Sequence, residues 1–341
     1  MIIRLPKSGL ILASVITTIF SLSNAHAETV AAFYSSKSVT LIIPSGPAGG
    51  YDRYGRLVAR HINKYIPGQP NILPQNMPGA GGVVAANYQF NVAPKDGSSI
   101  SILQNIVPFK KLLDPRQVKY EVSGIRWLGS VSAAANIAIV PASDKDTALE
   151  NLRERELLVG SSGGTTTDLP IALKSLLGLK LNSIKGYNST NDILLAMERK
   201  EVSGMIGIDY SSFIGSTKGR SDAYRIIFQM GLSRHALLPN VPLVLDIARD
   251  DNERQVLEVL FASFGIGRSF ATTDIPADRL AALRNAFIKT MKDTQFKAEA
   301  DKLGLEVAPL SAEEIERIIA SVYAKPTEVI EQARKLLSNF E

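Results

Sequence analysis

The sequence predicts an α/β protein of two domains, and three observations carry this. Short β-branched runs alternate with amphipathic helical stretches along the chain, the pattern of parallel sheets covered by helices. Glycine-rich turns join several of these strands to the helix that follows, at residues 44–50, 75–82 and 160–164. The length of 341 residues exceeds the roughly 100–200 of one domain.

The first residues set the compartment. Arg4 and Lys7 precede an apolar run over 9–22, and Ala25-His26-Ala27 offers small residues at both positions a signal peptidase reads. Cleavage is therefore expected after Ala27, with export to the periplasm. The run is too short to span a bilayer, and no later stretch approaches the roughly 18–20 apolar residues spanning requires. With no cysteine in the chain, a disulfide, a lipidated cysteine, a thiolate nucleophile and a thiolate-held metal are all excluded. The formal charge of +5 falls once Arg4 and Lys7 leave, and the remaining basic residues are interspersed with acidic ones. That balance is too mild to argue a nucleic-acid partner, and a soluble monomer is expected.

In chain order, 39–43 reads as a strand by its branched residues. Tyr54, Leu57, Val58, His61, Ile62 and Tyr65 then recur at three- and four-residue intervals, an amphipathic helix stopped by Pro67-Gly68. Residues 71–74 predict a second strand, 83–90 a helix, and 98–103 a third strand after the Pro94-Lys95-Asp96-Gly97 turn. Composition turns small and apolar over 127–141, where the chain is expected to cross into its second domain, with 137–140 a strand there. Residues 157–159 and 204–208 predict further strands and 170–177 a helix. Ser189-Thr190-Asn191-Asp192 predicts a capped helix start. A strand at 225–230 is expected to return to the first domain, followed by a strand at 261–266 and helices over 276–291, 311–323 and 326–337. The boundaries expected are a leader at 1–27, a first lobe of 28–130 with 231–341, and a second of 131–230.

The chemistry lies in the glycine turns. Gly46, Gly49 and Gly50 permit backbone angles closed to other residues and let an anion approach the chain, with Ser45 and Tyr51 beside them. Asp52 sits where a carboxylate favours a helix start. The unpaired N–H groups of such a turn, at the positive end of a helix dipole, form an anion cradle. An ordinary strand-to-helix turn would use the same glycines. The second turn, Pro78-Gly79-Ala80-Gly81-Gly82, offers only backbone donors. Neither turn ends in Gly-Lys-Ser/Thr and no GxGxxG is present, so no nucleotide cofactor is expected, and no residue set suggests a metal.

The third turn leaves two readings open. Gly160-Ser161-Ser162-Gly163-Gly164 fits G-x-S-x-G between a strand and a helix, so an exported serine esterase would use Ser162 with the downstream His235 and an acid such as Asp209. Against it, Ser161, Ser162, Thr165, Thr166 and Thr167 make a hydroxyl-rich helix start, with Thr165-x-x-Asp168 a capping pattern, suited to holding a carboxylate by hydrogen bonds. Tyr187 adjoins another turn and either lines the pocket or packs on a helix. His61 falls on the buried or boundary face of its helix and reads as a packed histidine.

Six landmarks in order resemble one family over nearly the whole mature chain: the proline-glycine turn ending in Asp52, PGAGG at 78–82, Pro94-Lys95-Asp96-Gly97, the helix start at 161–168, Lys185-Gly186-Tyr187, and Leu238-Pro239-Asn240-Val241-Pro242. The sequence resembles the substrate-binding proteins of tripartite tricarboxylate transporters, the Bug proteins. The resemblance implies a type II periplasmic-binding-protein-like fold, two α/β lobes joined by two crossing strands with a ligand cleft between them. It implies capture without covalent chemistry and handover to the membrane subunits of a transporter. It also implies that 44–52 and 78–82 hold one carboxylate through backbone N–H groups and water. The start at 161–168 would receive the other end of the ligand, near Asp209. The family's first loop is usually richer in proline, with threonine or serine before the aspartate. Ser45-Gly46 and Tyr51 depart from that, leaving dicarboxylates, tricarboxylates, aromatic acids and amino acids as ligand classes.

Overall fold

A computed structural model describes residues 28–217 and 219–338; the expected leader, 1–27, lies outside them. Helix α1 (Val30–Ser35) starts at Thr29, whose hydroxyl accepts the Ala32 N–H at 3.2 Å. Strand β1 (Val39–Ile43) buries four of its five residues, Thr40 being the less buried one, which is why it reads as a nearly continuous branched run. Helix α2 (Gly50–Ile62) turns Tyr54, Leu57, Val58 and Ile62 onto that strand. Strand β2 (Ile72–Asn76), helix α3 (Val83–Asn91), strand β3 (Ser99–Ile102), helix α4 (Val107–Leu113) and strand β4 (Arg126–Ser130) follow.

The chain then leaves this sheet. Strands β5 (Asn136–Pro141) and β6 (Leu157–Ser161) lead to helix α5 (Thr165–Leu177), strand β7 (Leu181–Lys185), helix α6 (Thr190–Glu198), strand β8 (Met205–Asp209), helix α7 (Tyr210–Thr217) and strand β9 (Tyr224–Met230). Helix α8 (Asp251–Ile266) brings it back to strand β10 (Ser269–Thr272). Helices α9 (Ala277–Lys292), α10 (Thr294–Lys302), α11 (Ala312–Tyr323) and α12 (Thr327–Ser338) complete the described chain.

The first sheet has the order β2-β1-β3-β10-β4. Its β2-β1-β3 half is parallel, whereas β10 runs antiparallel to both β3 and β4. The second sheet pairs β5 antiparallel with β8 and β9, while β6 and β7 are parallel and join it through the Val159–Gly204 bridge. The expectation of wholly parallel sheets is therefore corrected to mixed ones. Strand β9 forms as expected but pairs with β5, so the return to the first sheet is made by β10. The expected strand at 261–266 is the last part of α8, begun by Asp250, whose side chain accepts the Glu253 N–H at 2.8 Å.

Between the sheets, residues 131–135 are pinned on both sides. Val131 donates to the Arg268 carbonyl at 3.1 Å, Arg268 donates to the Ser132 carbonyl at 2.9 Å, and Ala308 donates to the Val131 carbonyl at 2.9 Å. Gly267, at φ +49°, makes this approach possible, because a Cβ there would lie 1.7 Å from the Ser132 carbonyl oxygen.

Candidate ligand-binding site

Parallel pairing brings the first two glycine turns together. Ile43 lies opposite Asn76 in the register, so the chain leaves β1 and β2 at the same end of neighbouring strands, where open α/β sheets bind ligands. A Cβ on Gly82 would lie 2.4 Å from Gln104 Cγ and 3.5 Å from Pro44 Cβ, so the segment after β3 meets both turns there. Gly79, Ala80, Gly81 and Gly82 all have positive φ, and the turn closes on itself through the Gly82 N–H, which donates to the Gly79 carbonyl at 2.9 Å. Pro78 to Gly81 are exposed, and α2 begins at Gly50 after Gly49, leaving its first N–H groups without intrahelical acceptors.

Asp52 is the clamp of the first turn. Its carboxylate is buried and accepts the Ala48 N–H at 2.9 Å, Arg56 Nε at 2.8 Å and Asn76 Nδ2 at 2.8 Å. The same amide nitrogen of Asn76 reaches the Ser45 carbonyl at 2.8 Å, so β2, the turn and α2 share one network. Burial pushes the Asp52 carboxyl up, but the hydrogen bonds from Asn76, Ala48 and Arg56 outweigh it and hold the pKa below the usual range. The Ser45 hydroxyl is enclosed and has no hydrogen-bond partner among the described residues.

Arg268 stands beside this turn. Its guanidinium lies 4.6 Å from the Tyr51 ring centre and 5.7 Å from that of Tyr54, and Nη1 is 3.4 Å from the Tyr51 hydroxyl. The Tyr51 hydroxyl in turn accepts the Asn105 N–H at 3.0 Å. A Cβ on Gly50 would sit 3.9 Å from Arg268 Nη2, which puts the cation at the first turn of α2. Nε is enclosed and has no described partner, and among the described residues no carboxylate lies within ion-pair distance of this side chain. Burial draws its pKa down, but Tyr51, Asp209 and Tyr54 more than compensate and keep it above the ordinary value.

The third turn and Asp209 belong to the second sheet's strands. Asp209, at the end of β8, accepts from the Ser211 hydroxyl at 2.6 Å and the Ser212 N–H at 3.1 Å, capping α7. Its charge acts on Arg268, Tyr54 and His235. The helix start at 165 lies beside β8, since the Thr165 hydroxyl donates to the Gly207 carbonyl at 2.6 Å. Its other hydroxyls bond locally: Ser161 Oγ is 2.5 Å from Thr167 Oγ1, and Thr166 donates to the Gly163 carbonyl at 2.8 Å. Gly164, not Thr165, takes the N-cap position, so the capping pattern with Asp168 does not form. Burial pushes the Asp168 carboxyl up to about 6.

Tyr187 and His235 have other neighbours, although Tyr187 leaves β7 at the same end as the 161–167 turn leaves β6. Tyr187 follows β7, the outer strand of the second sheet, and packs on the cluster of Ile193, Leu194 and Met197. His235 Nε2 is 2.7 Å from Glu306, while Ser162 Oγ finds Thr166 Oγ1 at 3.4 Å, so the described contacts join no Ser–His pair. Among the described residues no cluster of His, Asp and Glu could hold a metal ion. A surface groove of about 760 Å³ lies away from these turns, between α4, β4 and α11.

The family profile described as tripartite tricarboxylate transporter family receptor, TctC, matches residues 55–335. The chain belongs to this family. A TctC solute-binding protein from Polaromonas has the same fold, at 18% identity and a TM-score of 0.68, covering 90% of this chain and 99% of its own. The MatC protein of Rhodopseudomonas palustris, solved with malate, has a TM-score of 0.55 at 18% identity, over 84% of this chain and 99% of its own. An R. palustris protein solved with adipate has a TM-score of 0.59 at 18% identity, covering 87% and 97%. The protein in the gbd 5' region of Cupriavidus necator is 22% identical over 331 residues, 93% of each chain. The TctC chain is thus a solute-binding protein of the two-lobe type.

Sequence reading alone does not find Arg268 in this TctC site. It lies 217 residues from Tyr51, and its only local signal is a charged residue between Gly267 and a short strand.

Proposed function

We propose that this protein is a periplasmic receptor that captures a small carboxylate between its lobes and presents it to the membrane subunits of a tripartite tricarboxylate-type transporter. The observation that supports this is the parallel pairing of β1 with β2, after which both glycine turns leave the same end of neighbouring strands, beside the start of α2. The malate and adipate held by two proteins of the same fold agree in chemistry. The backbone of 44–52 and 78–82 holds one carboxylate, and the wall at 161–167 with Asp209 meets the far end. Lobe one comprises 28–130 and 231–341, lobe two 131–230, in accord with the membership of the two sheets. The protein acts as a monomer, after cleavage following Ala27. Ligand contacts to both lobes favour the closed form by differential affinity, and that form is what the membrane subunits recognise.

Native mass spectrometry of gently purified mature protein tests this, with identification of any acid released on denaturation. One carboxylic acid per chain is expected. A covalent adduct on Ser162, or binding of none of a panel of mono-, di- and tricarboxylic acids, would overturn it.

A further inference from the structure

Arg268 is a half-buried cation held in an unusual way. Of the five N–H donors a guanidinium carries, only Nη1 has a described acceptor, the Tyr51 hydroxyl, at a long 3.4 Å. Nε is enclosed without a partner. Enclosing a charge without a counter-ion is costly, so proteins pair such groups or reserve them for a ligand. The faces of Tyr51 and Tyr54 stabilise the cation but leave its in-plane donors free. The backbone of Arg268 is fixed by hydrogen bonds to Val131 and Ser132, so the side chain is delivered from the segment joining the two sheets. It faces the first turn of α2 at Gly50.

We infer that Arg268 is the direct counter-ion of one ligand carboxylate and the residue that makes the site prefer an ionised acid to its neutral amide. The inference rests on the carboxylate-receptor reading above and deepens it. Backbone N–H groups accept any small polar oxygen, whether from a carboxylate, an amide or an alcohol. A guanidinium with free donors in one plane matches a carboxylate in two parallel bonds and rewards its charge. Asp209 contributes to the field at Arg268 without bonding to it, so the cation is available to an incoming anion.

The test titrates mature protein calorimetrically with a panel of carboxylic acids that includes malate and adipate, and with malamide and adipamide, at low and high salt. Arg268→Met should weaken the best acid by about tenfold to hundredfold, flatten its salt dependence, and leave the weak diamide binding unchanged. Without ligand the variant should melt no lower than wild type, because it loses an uncompensated charge. Acid binding within threefold of wild type would overturn the inference, as would equal losses for acid and diamide. Should Arg268→Met misfold, Arg268→Gln carries the same comparison, and misfolding of both would assign the guanidinium to the fold. Wild-type protein that binds no acid in the panel would instead overturn the receptor reading itself.

Discussion

His235 Nε2 lies 2.7 Å from a carboxylate oxygen of Glu306, and this contact ties the segment after β9 to the segment after α10. The His235 N–H of the backbone also donates to Gln229 at 2.7 Å, and its ring lies 5.5 Å from that of Tyr210. The histidine is therefore a fastening between the second sheet and the C-terminal helices.

That fastening titrates. The hydrogen bond to Glu306 raises the His235 pKa above its ordinary 6.5, burial opposing, with the charges of Glu306 and Asp209 adding to the rise. A raised histidine pKa stabilises fully below the unfolded value and loses that contribution as pH rises through the folded one. His235→Gln should cost about 1–2 kcal/mol at pH ~6 and progressively less toward pH ~8. Urea unfolding at a series of pH values reads this, and a pH-independent difference would contradict it.

Asp52 predicts the opposite sign. Its pKa is held low in the folded protein, so its contribution is present above the unfolded value and disappears as pH falls through the folded one. Asp52→Ala strips acceptors from Ala48, Arg56 and Asn76 at once and should cost about 2–4 kcal/mol at neutral pH. Because the Ser45 carbonyl shares the Asn76 amide, ligand affinity should fall as well, measured by the same calorimetry. Unchanged affinity in a destabilised variant would separate the clamp from the site.

The legible part of the fold is the part set by local pattern. The branched run of β1, the three- and four-residue spacing of α2 and the PGAGG turn each fix their own geometry, so sequence reading finds both glycine turns. Ser311 likewise caps α11 with Glu314, within the predicted helix. The end of α8 deceives because Val259, Leu260, Phe261 and Ala262 are buried all round, and a short apolar run looks the same in a buried helix and a buried strand. Strand direction is equally hidden: β10 enters the first sheet between β3 and β4 from a point far along the chain. Arg268 is missed for the same reason, since its partners are assembled only by tertiary contact. The hydroxyls at 161–167 were visible, but not that most of them would bond to their own turn.

The two glycines of the second turn should respond differently. A Cβ on Gly81 meets nothing within 4 Å, whereas one on Gly82 strikes Gln104. Gly82→Ala should cost about 2–3 kcal/mol, through strain at φ +90° and displacement of Gln104. Gly81→Trp should cost only the backbone penalty of about 1 kcal/mol, yet abolish ligand binding by filling the space above the turn. Thermal melts paired with calorimetry distinguish the two. A Gly81→Trp variant with wild-type affinity would remove the second turn from the site.

Asp168 gives the last prediction. It lies in the first turn of α5, where the helix dipole favours a carboxylate, yet burial pushes its pKa up to about 6. Desolvation therefore wins over the dipole. A raised carboxyl pKa costs the folded state nothing below the unfolded value, and stability is lost as pH rises from there through about 6 and then levels off. Replacing the charge should then help where the carboxylate is ionised and do nothing where it is not. Asp168→Asn should raise stability by about 1 kcal/mol at pH ~7.5, after allowance for the partly exposed side chain, and leave it unchanged at pH ~4. Equal melting temperatures of variant and wild type at the higher pH would show that the dipole offsets the burial after all.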